Sequence, residues 1–301
     1  MWRFLKDCCY VFAARCISQC IAPLPRRLAL SLGTALATAV FWFSRCERNR
    51  TCKHLVSRLE LDGPVVVQRL AQRCFQNMGK NVMEFIQLPY MSPQKIHQVV
   101  TFEGKANIDQ ALDRGNGAII LTGHFGNWEL LAASIAANGY PLNSIARQLR
   151  SKRLDTLVSA YREKSGYTSI DRDNGIRPAL RCLKRNELLG IVADVDTRTD
   201  GVFVDFLGRP AYTPYSPVAI ALKTGATILP TFIIRQPDES HRAIVEPPLA
   251  LNQSGDRERD YIFNTQKFTN VIASYVRRFP EQWIWMHERW RTQPQIKPDD
   301  K

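Results

Sequence analysis

The amino-acid sequence predicts an α/β fold: a mostly parallel central sheet flanked by helices, with an N-terminal helical membrane anchor. Three observations support this prediction. Short β-rich runs alternate with helical stretches from about residue 100 onward, amphipathic helical segments precede them, and one long apolar run lies near the N-terminus. We therefore divide the chain into an N-terminal helical membrane-anchoring region, residues 1–50, and a main domain, residues 51–301.

The anchor is predicted from a run of 17 uncharged residues, Leu28 to Ser44. This length lies at the lower end of the roughly 17–25 residues that cross a bilayer as a helix. The run ends in the aromatic residues 41–43, and Arg45 and Arg48 follow, an order typical of the cytoplasmic interface of a membrane. A spanning helix, a helix in the membrane plane and a buried core helix all agree with this pattern.

The cysteines and the N-terminus indicate a reduced, non-secreted chain. Four of the eight cysteines crowd the first twenty residues, and the others lack the C-x-x-C or Cys/His spacing of a zinc site. We expect free thiols and no metal. Charged residues interrupt the first twenty positions and no small-x-small cleavage site follows, so we expect no secretory signal peptide.

The chain is strongly basic. It carries 41 Lys and Arg against 28 Asp and Glu, a net charge of +13, which predicts attraction to an anionic partner. Between residues 147 and 185 eleven basic residues stand against four acidic ones; the basic residues are Arg147, Arg150, Lys152, Arg153, Arg162, Lys164, Arg172, Arg177, Arg181, Lys184 and Arg185. No nucleic-acid-binding motif and no aromatic–basic interleaving accompanies the charge, so we expect no nucleic acid.

The order of the predicted elements gives the architecture. Residues 51–92 show apolar residues at helical spacing and predict amphipathic helices. The strand-like runs after them are VVTFEG, GAIILTG, NSIAR, YTSID, LLGIVAD, GATILPTFIIR and HRAIVE. The helix-like segments between are WELLAASIAANG, KRLDTLVSAYREKSG, GIRPALRCLKRNE and YSPVAIALKTG, with a longer helix near Asp256 to Phe279. This alternation favours parallel strands covered by helices on both faces.

The stretch GHFGNWEL, Gly123 to Leu130, joins the strand GAIILT to the helix WELLAASIAANG. Asn127 suits the N-cap of that helix and Gly139 suits its end. His124 is therefore expected just past the carboxyl end of a buried strand, where open α/β sheets bind their ligands. Glu129 falls in the first turn of the helix.

His124 and Glu129 are candidates for a catalytic pair. A spacing of five does not place two side chains on one helical face, so their contact requires the loop to fold back at its two glycines. A carboxylate on one imidazole nitrogen would fix the tautomer and leave the other nitrogen basic, as a general base for a hydroxyl group requires. Taken alone, the two residues agree equally well with another interpretation: His124 is an ordinary turn residue, and Glu129 interacts favourably with the dipole of the helix.

The H-x-x-x-x-E pattern at this corner resembles the H-x-x-x-x-[D/E] motif of the glycerolipid acyltransferase superfamily. Residues 117–290 resemble, more narrowly, the lipid A biosynthesis (lauroyl/myristoyl) acyltransferase family. Besides GHFGNWEL, the matching stretches are YREKSGYTSIDR, ELLGIVADVD, VDFLGRPAYTPYSPVAIALKTGATILPTFIIR and PEQWIWMHERW. Five stretches in the same order and spacing make the resemblance specific.

The resemblance implies roles for four residues. His124 and Glu129 correspond to the catalytic dyad of the family, and Arg162 and Asp194 to a further functional arginine and aspartate. For these two we expect an Arg–Asp pair that lines a substrate site. Backbone amides of the glycine-flanked loop are expected to bind the oxyanion of the tetrahedral intermediate.

The resemblance also implies the reaction: transfer of a fatty acyl chain from an acyl-carrier-protein thioester to a hydroxyl of a lipid A precursor, without metal or cofactor. The expected partners are the acyl carrier protein, an anionic glycolipid acceptor and the inner membrane, with the catalytic domain facing the cytoplasm. The basic region fits an acidic carrier and phosphorylated headgroups, and it also fits a solvated helix face. The alternatives are another glycolipid acceptor such as a phosphatidylinositol mannoside, a hydrolase, or a non-catalytic basic membrane-bound lipid-binding protein.

The C-terminal stretch PEQWIWMHERW carries three tryptophans, which we expect to pack in the core, and His287, which we expect to be structural. In FLGRPAYTP, Gly208 and Thr213 fit either a loop around the acyl site or an ordinary turn.

Overall fold

A computed structural model describes residues 2–61, 63–197 and 199–294. The helices are α1 (Trp2–Ile21), α2 (Arg26–Phe43), α3 (Arg45–Leu59), α4 (Pro64–Gln87), α5 (Pro93–Val99), α6 (Lys105–Leu112), α7 (Trp128–Ala137), α8 (Lys152–Lys164), α9 (Ile176–Lys184), α10 (Ser216–Thr224) and α11 (Arg257–Arg278). The strands are β1 (Val100–Glu103), β2 (Ala118–Thr122), β3 (Leu142–Ala146), β4 (Thr168–Asp171), β5 (Leu188–Val192), β6 (Gly201–Asp205), β7 (Pro210–Pro214), β8 (Thr227–Arg235) and β9 (His241–Val245). Short 3-10 turns, Leu88–Tyr90 and Pro280–Gln282, follow α4 and α11.

Seven strands form the central sheet in the order β1-β9-β8-β2-β5-β3-β4. Every neighbouring pair is parallel except β8 and β9. This pair is antiparallel because only residues 236–240 join the two strands, too few for a crossover helix. The predicted α/β fold with a mostly parallel sheet is confirmed.

Helices cover both faces of this sheet. Along β2, Ile119 and Leu121 belong to one buried cluster and Ala118 and Ile120 to the other. Successive side chains of a strand point to opposite faces, and all five residues of β2 are buried. The run GAIILT is therefore continuously apolar because its strand lies between two helical layers.

Helix α2 packs against α4 through a close glycine contact. A Cβ atom on Gly79 would lie 2.3 Å from the carbonyl oxygen of Gly33, so the two backbones touch at this point.

No single helix among the described residues is long and apolar enough to cross a bilayer. Helices α2 and α3, bent by 92° at their junction, meet the criterion of length and composition only as a pair.

Several local predictions are confirmed. The Oδ1 atom of Asn127 caps α7 by accepting from the Leu130 amide at 3.1 Å, and Gly139 ends the helical segment with a φ of +88°. The three tryptophans of PEQWIWMHERW are buried in the core. The stretch FLGRPAYTP forms the turn and second strand of an antiparallel hairpin, β6–β7, outside the main sheet.

Candidate active site

The site begins at the carboxyl ends of two neighbouring parallel strands, β2 and β5. Thr122 is in register with Val192, and each is the last residue of its strand. His124 follows the first strand by two residues and Asp194 follows the second by two, so both side chains emerge at one edge of the sheet. The Nδ1 atom of His124 lies 2.7 Å from Oδ1 of Asp194.

Asp194 is fully buried and accepts three hydrogen bonds. Besides the imidazole of His124, its Oδ2 atom accepts from the backbone amide of His124 and from the indole of Trp283, each at 2.7 Å. Burial acts to raise the pKa of Asp194, but the charge of His124 and these hydrogen bonds outweigh it and lower the pKa below its ordinary value. Asp194 is thus an ionised acceptor, and Nδ1 of His124 is the donor.

Glu129 faces a different partner. Its carboxylate accepts two hydrogen bonds from the guanidinium of Arg162, at the end of α8, and one from the hydroxyl of Tyr167. Burial acts to lower the pKa of Arg162, but Glu129 outweighs this and raises it. Burial and the neighbouring Glu129 charge also raise the pKa of Tyr167 well above its ordinary value. Arg162 is therefore a fixed cation and Tyr167 a neutral donor.

The structure brings together all four residues predicted for the site, His124, Glu129, Arg162 and Asp194, but with exchanged partners. The predicted contact between His124 and Glu129 and the predicted Arg162–Asp194 pair are both wrong, because Asp194 binds the histidine and Glu129 binds the arginine. Glu129 lies in the first turn of α7, where its side chain reaches the end of α8. A catalytic role for Glu129 remains a prediction, and it would act beside the base through Arg162.

The prediction that backbone amides of the loop bind the oxyanion is wrong for two of these amides. The amide of His124 donates to Asp194, and the amide of Gly126 donates to the carbonyl of Gln282 at 2.8 Å. Both groups are occupied by the protein. On this side of the site, Arg162 lines the cavity with its guanidinium paired to Glu129, which lies in the first turn of α7.

A cavity of about 1030 Å³ opens beside His124. Strands β3 and β5 pair only from Leu142 to Ser144, opposite Leu188 to Gly190, and then separate. The cavity enters this gap: its walls include Leu131 and Ile135 of α7, from one face of the sheet, and Ala179 of α9 and Ile220 of α10, from the other. It therefore passes through the plane of the sheet and presents apolar walls to a ligand.

The outer part of the cavity is polar and basic. Its wall includes Arg147, Arg150, Arg172 and Arg291. His287, which we expected to be structural, also lines it, with its ring centroid 6.3 Å from that of His124. Burial and the nearby His124 charge lower the pKa of His287, which favours its neutral form.

Among the described residues, no group of three or more His, Cys, Asp or Glu could hold a metal ion.

Fold and site together define an enzyme in which a carboxylate-bound histidine faces a long, partly apolar cavity. The sequence profile of the bacterial lipid A biosynthesis acyltransferases matches residues 2–292. The chain belongs to this family and is an acyltransferase.

Individual relatives act on two kinds of glycolipid. The chain is 28% identical to a phosphatidylinositol mannoside acyltransferase of Mycobacterium tuberculosis over 244 residues, 79% of this chain and 75% of the relative. It is 27% identical to a lipid A biosynthesis acyltransferase of Haemophilus influenzae over 228 residues, 75% and 70% of the two chains. It is 24% identical to a lipid A biosynthesis lauroyltransferase of Escherichia coli over 286 residues, 92% and 90% of the two chains.

Proposed function

We propose that this acyltransferase moves a fatty acyl chain from an acyl-carrier-protein thioester to a hydroxyl group of a lipid A precursor. The observation that carries the proposal is the position of His124, between the apolar depth of the cavity and its basic outer part. The long alkyl chain of such a substrate matches the apolar depth of the cavity, and its anionic headgroup or carrier matches the basic outer part.

In the proposed reaction, Nε2 of His124 removes the proton of the acceptor hydroxyl as its oxygen attacks the thioester carbonyl. Asp194 holds the other ring nitrogen and stabilises the imidazolium that forms. When the tetrahedral intermediate collapses, the carbon–sulfur bond breaks and the imidazolium returns its proton to the leaving thiolate. The products are an ester and a free thiol.

The acyl chain is proposed to enter the gap between β3 and β5, where Gly190 lies at the last paired position. A Cβ atom there would meet Leu142 and Ser144 at 3.6 Å, an ordinary contact, so alanine fits and a larger side chain projects into the cavity. We expect Gly190→Val to reduce transfer of long chains relative to shorter ones by roughly tenfold, since one methylene in a pocket is worth about 1–3 kcal/mol.

The measurement is competition between acyl donors of different chain length, with Gly190→Ala as the matched control. A Gly190→Val enzyme with the chain-length preference of the wild type would place the acyl chain elsewhere.

The acyl carrier protein is proposed to dock at the basic outer part of the cavity. Arg150 and Arg147 are exposed there, and Arg177 and Arg181 are exposed on the adjoining α9. Long-range attraction to an acidic carrier would raise its association rate and would weaken as salt increases. The phosphates of an anionic acceptor would be attracted to the same region.

The experiment that tests the proposed function combines purified protein, defined acyl-carrier-protein thioesters and a purified lipid A precursor, with mass spectrometry of the lipid. A lipid A precursor heavier by one acyl group is the expected product. A second candidate acceptor is a phosphatidylinositol mannoside, favoured by the 28% identity to the Mycobacterium tuberculosis enzyme. If the mannoside is acylated and the lipid A precursor is left unchanged, the acceptor is the mannoside and not the lipid A precursor.

The enzyme is further proposed to work on the cytoplasmic leaflet of the inner membrane, held there by α2. One face of this helix is buried against the protein. The opposite face exposes large apolar side chains at helical spacing: Leu28, Leu32, Leu36, Val40 and Phe43. A helix with one such face exposed is suited to lie in the plane of the interface, and the basic residues that follow it suit anionic lipid.

Introducing glutamates on this face, as in Leu32→Glu with Leu36→Glu, is expected to weaken binding to vesicles of phosphatidylethanolamine and phosphatidylglycerol by at least tenfold. Burial of each leucine contributes roughly 1.5–3 kcal/mol. The measurement is co-sedimentation with vesicles, and the matched control is Ile262→Glu, an exposed apolar position on α11. Equal binding by the α2 variant and the control would contradict the proposed anchor.

A further inference from the structure

Helix α4 carries three polar side chains one helical turn apart, Asn77, Asn81 and Glu84, on the side that faces the His124 loop, residues 123–127. Positions i, i+4 and i+7 share one face of a helix. Helix α2 packs against α4 at Gly79. Asn77 and Asn81 are half-buried and Glu84 is buried, and the partners of these side chains show what they do.

Two of these side chains bind the His124 loop directly. Nδ2 of Asn81 donates to the carbonyl of Gly126 at 2.6 Å. Nδ2 of Asn127 donates to Oε2 of Glu84 at 2.8 Å, while its Oδ1 caps α7. The loop backbone is also pressed against β8, because a Cβ on Gly126 would lie 1.9 Å from the carbonyl oxygen of Ile233.

Glu84 is the centre of a buried ionic cluster. Its carboxylate accepts hydrogen bonds from Arg26, Arg235, His241 and Asn127. Burial acts to raise the pKa of Glu84, but the interactions and hydrogen bonds with His241 and Arg235 outweigh this and lower it well below the ordinary range. Buried ion pairs contribute little net stability compared with apolar packing. The role left for such a cluster is to fix the positions of the segments that it joins, here including the His124 loop.

We propose that Asn81 and Glu84 are positioning residues that hold the His124 loop so that the imidazole meets both Asp194 and the acceptor hydroxyl. The inference rests on the proposed role of His124 as general base. Asn81 and Glu84 are not among the residues that line the cavity, and they act through the Gly126 carbonyl and the Asn127 side chain. A displacement of about 1 Å at a reacting group can cost roughly 10²-fold in rate.

The test uses variants that remove one tether and keep the fold. Asn81→Asp preserves size and the acceptor for Arg235 but loses the donor to Gly126. Asn127→Ser keeps a cap for α7 and loses the donor to Glu84. Gln76→Glu is the matched control: it removes an amide donor on the same helix, bonded to Thr38 of α2 and not to the loop. Glu84 itself is left unchanged, because its loss would leave the buried guanidinium of Arg235 without its main carboxylate partner.

We expect Asn81→Asp and Asn127→Ser to lower kcat by about 10- to 100-fold, with KM for the acceptor within roughly twofold of the wild type. We also expect faster hydrogen exchange at the amides of residues 124–127 in both variants. Gln76→Glu should match the wild type in kcat and in exchange of the loop.

Wild-type kcat and wild-type loop exchange in Asn81→Asp would overturn the proposal, as would a raised KM with kcat retained. If the wild-type enzyme itself transfers no acyl group, the proposed function fails. In that case the exchange data still decide whether these residues hold the loop.

Discussion

Replacing His124 by alanine is expected to lower kcat for acyl transfer by about 10²- to 10⁴-fold, the usual cost of losing a positioned general base. The protein should remain folded, because the His124 side chain is 24% exposed and its loss leaves Asp194 bound to Trp283 and to the backbone amide at residue 124. The cavity walls should be otherwise unchanged.

The measurement is a single-turnover rate with saturating acyl donor and acceptor, accompanied by a thermal unfolding curve. The matched control is His97→Ala, which removes an exposed histidine on α5. A His124→Ala enzyme with a rate close to that of the control would remove the general base from the mechanism.

Asp194→Asn is expected to lower kcat by about 10³-fold with little change in the fold. An asparagine can present its oxygen to Trp283 and to the amide of His124, as Oδ2 does now. Its NH₂ group would then point at Nδ1 of His124 and require that nitrogen to be an acceptor. The proton moves to Nε2, so the nitrogen that should take the hydroxyl proton is already protonated.

The tautomer of His124 provides the direct readout for this variant. Nitrogen chemical shifts should report a proton on Nδ1 in the wild type and on Nε2 in Asp194→Asn. In Glu129→Gln the proton should stay on Nδ1, because Glu129 binds Arg162. A tautomer change in Glu129→Gln and none in Asp194→Asn would contradict this and support the His124–Glu129 contact predicted from the sequence.

The pH dependence follows from the sign of the Asp194 shift. Its pKa is lowered in the folded protein, so the stability gained from its ionised form is fully present above the ordinary value and is lost as pH falls through the lower, folded value. At any pH above the ordinary pKa of an aspartate, Asp194 therefore remains charged, and a loss of activity on acidification that begins above that value belongs to another group.

The fold was largely predictable because its signals are local. The run at β2 is apolar throughout, and Asn127 and Gly139 mark the ends of the helical segment that follows. Each of these features depends on a few neighbouring residues. The strand–helix alternation then restricts the topology to a mostly parallel sheet.

The pairing within the site was not predictable in the same way. His124 and Asp194 are 70 residues apart, and they meet because β2 and β5 are neighbours although β3 and β4 lie between them in sequence. Glu129 is close to His124 in sequence but points toward the end of α8. One signal was available: GAIILTGH and LLGIVAD each place a polar residue two positions after a buried strand.

The supporting cluster around Glu84 was missed because its members come from α2, α4, β8, β9 and the His124 loop. The sequence marks it only as polar residues at positions i, i+4 and i+7 on an otherwise amphipathic helix. A polar stripe of this kind on the covered side of an amphipathic helix indicates a partner within the protein, but the tertiary fold decides which group that is.

A double-mutant cycle tests most directly whether His124 and Asp194 act as one unit. We predict that His124→Ala with Asp194→Asn is no slower than His124→Ala alone, because the carboxylate works only through the imidazole. If the two losses in kcat multiply instead, Asp194 acts independently of His124 and the account of the site is wrong.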